Sequence, residues 1–373
     1  MMKEYNLEDI APIEQGECPQ TDYVWLLNLD MVESNTGNIK DYEYVRINEI
    51  GNSTVSFDSS NVLYSKLRPY LNKVVLPNKP GYATSEMVVL KPKPEVITRE
   101  YLTYFLRSSH FVNYINSRTT GAKMPRVNIK DLKQVRVPCP SLDMQNYIVK
   151  LFQTCIKIIN IREKELVILD NLVKARFVEM FGHMSVDTTV SDVCSIITDG
   201  THQPPKFKNE GIPFLFVSNI ADNKLTYDTE KFIDEATYNE LIKRTPIEVG
   251  DVLLSTVGSY GHPAVVENKK RFLFQRHIAY LKPNYKKVGS YYLYASLLSD
   301  SVQYQIDTHV KGIAQKTLNL KEIKSLKIPL PSLDEQKIFT VFFREVNKSK
   351  SVIQKSLDET QILFQSLMQE YFG

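Results

Sequence analysis

The chain carries one segment twice. Residues 121–182, moved forward by 191 positions, fall on 312–373 without a gap, and eighteen aligned positions are identical. They include Gly121/Gly312, Asn128/Asn319, Pro138/Pro329, the run Pro-Ser-Leu-Asp at 140–143 and 331–334, Gln145/Gln336 and the closing Phe-Gly. Other pairs are like for like: Asp131/Glu322, Arg136/Lys327, Val137/Ile328. A repeat of this length makes the chain a tandem pair, so any fold it adopts must use one unit twice.

The copied unit has two parts. A short apolar-basic run ending in Pro-x-Pro, at 135–140 and 326–331, reads as a final strand with a hard stop. A helix follows. Ser141 and Ser332 stand at the N-cap, and Ser332 with Glu335 spells a full capping box. Neither Pro nor Gly interrupts the two copies before Gly182 and Gly373. The spacing predicts helices over 142–181 and 333–372, each about 60 Å long. Apolar residues recur at 4-3 spacing: Ile148, Phe152, Cys155, Ile159, Leu166, Leu169, Val173 and Met180, then Phe339, Phe343, Val346, Ile353, Leu357, Phe364, Leu367 and Tyr371. Arg162, Arg176, Lys350 and Thr360 interrupt the seam. This is a coiled-coil pattern, and the expected solution is an antiparallel pair; two helices docked separately on their own domains is the alternative.

At 373 residues the chain suits two domains plus connectors. The expected division is a first globular block over 1–140, a helix over 141–182, a second block over 183–331 and a helix over 332–373. In the first block 23–29, 61–64, 73–76 and 86–90 read as strands, and 99–116 as one amphipathic helix. The second block answers the first more loosely: 61–65 against 251–255, 89–92 against 280–283, Tyr101-Leu102 against Tyr292-Leu293. The expected fold class is α+β: two mixed α/β domains joined by two long helices and related by a pseudo-twofold axis.

No GxGxxG and no GxxxxGK[ST] is present, so no nucleotide cradle is visible. The six histidines are dispersed, with neither HExxH nor a Cys/His cluster, and no metal site is read. Asp334-Glu335-Gln336-Lys337 has a nuclease-like look, but Glu335 is already accounted for as a cap and the first copy has Met144-Gln145-Asn146 there. Asp199-Gly200-Thr201-His202 reads as a turn with a structural Thr and an exposed His rather than as a catalytic loop. Short apolar runs, the lack of an apolar signal core and four scattered cysteines lead to the expectation of a soluble, reduced, cytoplasmic protein.

The charge distribution says more than the net of +3. Residues 101–140 carry Arg107, Arg118, Lys123, Arg126, Lys130, Lys133 and Arg136 against Asp131 alone. Residues 268–287 carry Lys269, Lys270, Arg271, Arg276, Lys282, Lys286 and Lys287 against no acid, and 59–80 carry Lys66, Arg68, Lys73 and Lys79 against none. Such clusters, interleaved with Tyr and Phe, fit a polyanion such as DNA. Ordinary solvated faces are the plainer account.

The stretch 63–71 (LYSKLRPYL), the stretch 250–259 (GDVLLSTVGS), the loop 199–202 and the two Pro-x-Pro-Ser-Leu-Asp-x-Gln helix starts resemble the specificity subunit of type I restriction-modification enzymes. The resemblance covers essentially the whole chain. It implies two target recognition domains, each reading one half of a split double-stranded DNA site. It also implies that the paired helices serve as spacer and as docking surface for two methyltransferase (modification) subunits. Adenine methylation and ATP-driven cleavage would belong to those and to restriction subunits. No cofactor is then expected here, with S-adenosylmethionine, ATP and Mg on the partners. Two readers on one duplex face should lie about one helical turn, roughly 34 Å, apart, a distance stiff helices can hold. The candidate DNA contacts are Lys66, Arg68, Lys123, Arg126, Arg276 and Lys316, with Thr201, His202, Ser259 and Tyr260 on reading loops. The candidate spacer and partner-binding set is Ile148, Phe152, Leu166, Leu169, Phe339, Phe343, Leu357 and Phe364. A stand-alone DNA-binding or scaffold protein, such as a regulator or antitoxin-like module, is the competing reading from another class; a stand-alone enzyme comes third.

Overall fold

A computed structural model describes residues 3–17, 21–121, 123–310 and 316–373; Cys18, one of the four cysteines counted above, and Gly312 of the repeat lie outside them. The chain forms two compact units, 1–163 with 355–373, and 164–354. The boundary falls inside both long helices, which run Leu142–Phe181 and Leu333–Phe372, 40 residues each.

In the first unit, a four-stranded sheet is ordered Glu43–Arg46, Tyr23–Leu27, Gly81–Thr84, Thr54–Phe57. Val62–Ser65 pairs antiparallel with Met87–Leu90 and Val74–Val75 in a second sheet. In the second unit, Cys194–Asp199, Ile278–Pro283, Val252–Ser255 and Pro263–Val265 form one sheet. Phe232–Ile233, Ile212–Leu215 and Leu273–Phe274 form another. The final strands close differently from one another. Arg136–Cys139 pairs with Lys3–Asn6, whereas only Lys327–Ile328 of the second copy pairs, with Thr188–Thr189.

The single helix expected over 99–116 is two helices, Arg99–Arg107 and Ser109–Asn116. Ser108 breaks it by adopting an extended ψ of 146° and accepting the Phe111 N–H on its hydroxyl at 3.2 Å. A serine that caps the following turn competes with helix continuation, and periodicity alone does not register it. Ser299 breaks Ser290–Leu298 from Asp300–His309 with the same extended backbone, ψ 145°, but its hydroxyl donates back to Ser296 C=O at 2.7 Å instead of capping the next helix.

The repeated residues explain how each long helix is tied to its unit. Ser332 and Glu335 form the capping box: the carboxylate accepts the Ser332 N–H at 2.9 Å and its hydroxyl at 2.7 Å. These bonds hold the Glu335 carboxyl below its usual range. Gln145 is buried, and its Oε1 accepts the Thr98 N–H at 2.9 Å while Nε2 donates to the carbonyls of Val96 and Pro140 at 2.8 and 3.0 Å. Gln336 repeats the clamp on Gly289, Lys287 and Pro331 at 2.9, 2.9 and 3.0 Å. Tyr101 and Tyr292 donate to the carbonyls of Pro138 and Pro329. Each clamp satisfies backbone groups that burial would otherwise leave unpaired. The nuclease-like run thus resolves into a cap, a clamp and a surface pair, Lys337–Asp334 at 3.0 Å.

Within each unit the start of one long helix packs with the end of the other. In the first unit Phe152 meets Phe364 and Phe372 at ring distances of 5.6 and 5.8 Å, and Phe372 stacks edge-on against Tyr101. In the second, Phe339 meets Phe177 and Phe181 at 5.6 and 5.8 Å, and Phe181 meets Tyr292 at 5.1 Å. Of the expected seam, Ile148, Phe152, Phe339, Phe343 and Leu357 are buried, Phe343 against Tyr291 and Tyr294 of the globular part. Leu166, Leu169 and Phe364 are only half-buried, and the buried Phe177, Phe181 and Phe372 lie outside the expected set. The 4-3 count followed helix against helix alone; these three rings pack both on the other long helix and on Tyr101 or Tyr292 of the globular part, onto which the helix ends also dock.

Candidate nucleic-acid interface

In both units the strand carrying the 61–65 or 251–255 motif runs out into a loop, and backbone hydrogen bonds tie that loop to the start of the repeated segment. In the first unit the Lys66 N–H donates to Glu86 C=O at 3.0 Å, Val127 N–H to Lys66 C=O at 2.9 Å and Arg68 N–H to Pro125 C=O at 2.8 Å. In the second unit the matching bonds are Thr256 to His277 at 3.0 Å, Leu318 to Thr256 at 2.8 Å and Gly258 to Lys316 at 3.3 Å. A single β-bridge sits at the centre of each, Leu67 with Arg126 and Val257 with Thr317. Both junctions turn through a left-handed residue: Arg68 at φ 50° and Gly258 at φ 73°. Glycine takes that conformation without cost. A side chain there is strained by roughly 1–3 kcal/mol and persists where its surroundings hold it, often at working sites.

The first junction gathers Lys66, Arg68, Lys123 and Arg126, of which Arg68, Lys123 and Arg126 are exposed and Lys66 half-buried. Arg126 is not free: its guanidinium forks onto Glu86 with contacts of 3.0 to 3.3 Å, which raises its pKa. Lys66, Arg68 and Lys123 form no ion pair with the described residues. Lys73, from the same run, donates to Leu29 C=O at 2.6 Å, and burial, then Lys40, lowers its pKa.

The second junction carries Ser259, Tyr260 and Lys316. The Lys316 ammonium stands 5.9 Å from the Tyr260 ring centre, and the Tyr260 hydroxyl donates to Asp307 at 3.0 Å. Beside it, Thr201 accepts the Arg276 N–H at 3.0 Å and donates its own to Phe274 C=O at 3.0 Å. His277, half-buried under Arg276, has its pKa lowered by burial and then by that charge. Thr201 and His202 line the mouth of a groove of about 600 Å³ with Lys206, Lys208, Lys243 and Arg244.

Space rearranges the linear charge clusters. Lys133 pairs with Glu8, Arg136 with Glu4, Arg271 with Glu235, and Lys282 with Glu248 and the buried Asp251. Arg107 is half-buried and donates to Val74 C=O at 2.6 Å, and desolvation pulls its pKa down to about 10. Those stretches are acid-free only along the sequence. Conversely, Lys206, Lys208, Lys243 and Arg244 were missed, because nothing local joins 206–208 to 243–244.

The profile of the family described as "Type I restriction modification DNA specificity domain" matches residues 1–169 and again 186–359. The chain belongs to this family. Among curated relatives, the type I restriction enzyme MjaVIII specificity subunit of Methanocaldococcus jannaschii is 21% identical over 314 residues, covering 76% of this chain and 71% of the relative. The EcoBI specificity subunit of Escherichia coli is 30% identical over 137 residues, 37% of this chain and 29% of its own. Two solved structures share the fold along 100% of the chain. One comes from a study of complex assembly and conformational transition of the type I R-M system (TM-score 0.63, 18% identity, 97% of that chain). The other is the type I restriction-modification S subunit from M. genitalium (TM-score 0.60, 13% identity, 96% of that chain). The tandem mixed α/β domains with long helices expected from the repeat are the architecture of this family. Among the described residues no helix is long and apolar enough to cross a membrane.

Proposed function

We propose that this specificity chain reads a bipartite, asymmetric double-stranded DNA site within a type I restriction-modification methyltransferase complex, one half-site per unit. The observation that carries the proposal is the duplicated junction. Its three backbone bonds recur in both units, while the side chains mounted on it differ: Lys66/Thr256, Arg68/Gly258, Glu86/His277, Arg126/Thr317. Two readers built on one scaffold with different surfaces suit two different half-sites. Lys66, Arg68, Lys123 and Lys316 act on phosphates, and Thr201, His202, Ser259, Tyr260 and Arg276 face base edges. The long helices space the readers and dock two modification subunits. Their exposed apolar residues, Val167, Ile168, Val178, Ile338, Val341, Val352 and Ile362, support that role. S-adenosylmethionine, ATP and Mg serve the partner subunits, and the complex works in the cytoplasm, where its DNA is.

The test is block exchange. Residues 1–140 are replaced by the matching block of a relative and joined at Pro140-Ser141, where a strand end meets a helix cap. Methylated adenines are then sequenced in cells carrying the hybrid and the partner methyltransferase. One half-site should change, with the gap between halves retained. Joint change of both halves refutes independent reading. A solitary DNA-binding protein would leave no methylation pattern at all.

A further inference from the structure

The groove of the second unit, whose Thr201 and His202 are turned to base edges in the account above, also holds an ordered cluster. The Asp199 carboxylate, only 15% exposed, ends the strand Cys194–Asp199. Its Oδ1 accepts from Arg244 Nη2 at 2.5 Å, and its Oδ2 lies 2.9 Å from His202 Nε2. The same Arg244 Nη2 is 3.3 Å from His202 Nε2. Arg244 itself is 52% exposed. Its Nε and Nη1 form no hydrogen bond with the described residues. The guanidinium is therefore anchored through one N–H of Nη2 by a largely buried carboxylate; Arg244 lines the groove, and the second N–H of Nη2 with Nη1 or Nε makes a two-donor edge.

A cation meant only for phosphate gains little from such fixing, since the backbone offers charge everywhere and a mobile ammonium reaches it. Lys206 and Lys243, on the same rim, are of that kind. A planar fork held in one orientation instead matches two adjacent acceptors in one plane. In the major groove that pattern belongs to guanine, through O6 and N7; adenine would set its N6 amino group against the guanidinium donors. The groove also adjoins the second junction, because Thr201, on its wall, is bonded to Arg276 at 3.0 Å.

We propose that Arg244 is the guanine-reading side chain of the second unit, with Asp199 as the positioning residue that holds its fork. This rests on the proposed role of the chain as a DNA reader and names one base pair within it.

The experiment uses the full chain purified with its methyltransferase partner, and a random duplex DNA library from which bound sequences are selected and read. Wild type, R244Q, R244K and D199N are compared, each at several salt concentrations. The wild-type site should hold a G·C pair in the half-site that block exchange assigns to the second unit. R244Q should lose about tenfold or more of the discrimination at that one position and leave the other half-site intact. R244K, which keeps the charge but not the fork, should relax the same position while retaining the salt slope. D199N should relax it less. An unchanged site in R244Q overturns the proposal. So does equal weakening on all sequences with a shallower salt slope, which marks a phosphate contact. Should R244Q fail to fold, R244K and D199N decide, and an unchanged site in both overturns it. A wild-type half-site without guanine also overturns it while leaving the DNA-reading role in place. Selection of no sequence at all by the wild-type complex would instead remove that role, and this inference with it.

Discussion

Phe372, the last residue of the second long helix, tests how the two copies are tied together. Helix ends ordinarily fray, and truncating a side chain in a last turn ordinarily costs little. Here the ring is only 3% exposed and sits among Tyr101, Phe105 and Phe152, at centroid distances of 5.2, 5.9 and 5.8 Å. Removing a buried Phe ring costs about 3–5 kcal/mol, and aromatic pairs in edge-on geometry each account for about 0.5–1.5 kcal/mol. The helix end can relax into part of the cavity, so the lower figure applies, and Phe372→Ala should cost about 3 kcal/mol. For a unit of this size that is a fall in melting temperature of roughly 6–12 °C. The loss should be regional. Amide exchange should accelerate over 97–111 in the first unit and stay unchanged over 286–297 in the second. Leu363→Ala, about two and a half turns earlier on the same helix and 51% exposed, is the control and should change stability by less than about 0.5 kcal/mol. A Phe372→Ala protein as stable as this control would refute the packing of the helix end onto the first unit.

Other outcomes follow from the same contacts. Gln145→Leu strips partners from Thr98 N–H and two carbonyls and should cost about 3 kcal/mol in the first unit, as Gln336→Leu should in the second; thermal unfolding resolves both. Leu357→Asp buries an unpaired charge and should be several kcal/mol more damaging than Leu169→Asp, whose site is half-buried; equal losses would contradict the burial. Glu86→Gln releases Arg126 and should strengthen binding to any duplex at low salt, steepening the salt slope by about 0.9; a flat response would take Arg126 off the DNA face. In the second unit the carboxyls of Asp192, Asp234 and Glu335 are held below their usual range, chiefly by hydrogen bonds from the Thr and Ser groups they cap. Folded values below unfolded ones mean their stabilisation is present above the ordinary carboxylate range and lost as pH falls through it and on to the lowered values. Denaturation midpoints at about pH 5 and about pH 3 should show this, with a smaller drop in Glu335→Gln.

How much was legible in the sequence depended on how local each cause was. The long helices were readable because caps, periodicity and missing breakers all act within a few residues, and the capping box at Ser332 formed as spelled. The break at Ser108 was not, because the apolar stripe runs through it unaltered. Charge was misjudged where a partner came from afar: Glu4 for Arg136, Glu8 for Lys133, Glu235 for Arg271. The repeated Gln145 and Gln336 stood out at once, but their meaning as clamps needed the distant backbone groups they reach, two for each, which lie 47 to 49 residues upstream. The junctions were half-visible. Their loop halves match at an offset of 190 and their repeat halves at 191, so a single alignment could not bring both together.

The chain is its own comparison, and what it keeps differs physically from what it lets change. Gln145/Gln336, Tyr101/Tyr292 and the Ser108/Ser299 breaks are kept, and each satisfies or redirects backbone groups inside a unit. At the junctions the backbone bonds are kept while the outward side chains are not, because an N–H to C=O bond places no demand on the side chain above it. The exchange is also directional. The first junction carries four basic side chains, Lys66, Arg68, Lys123 and Arg126, one of them held by Glu86; at the second, Thr256, Gly258 and Thr317 stand in place of Lys66, Arg68 and Arg126, and Lys316 stands where the first copy has Pro125. A unit with that much charge at its junction can grip phosphate there. The second unit has moved its cations to the groove of Lys206, Lys208, Lys243 and Arg244, on a segment without counterpart in the repeat. In the proposed role, one scaffold used twice, with charge in two different places, would meet two DNA halves in two different ways, and an asymmetric site would then follow from a near-symmetric chain.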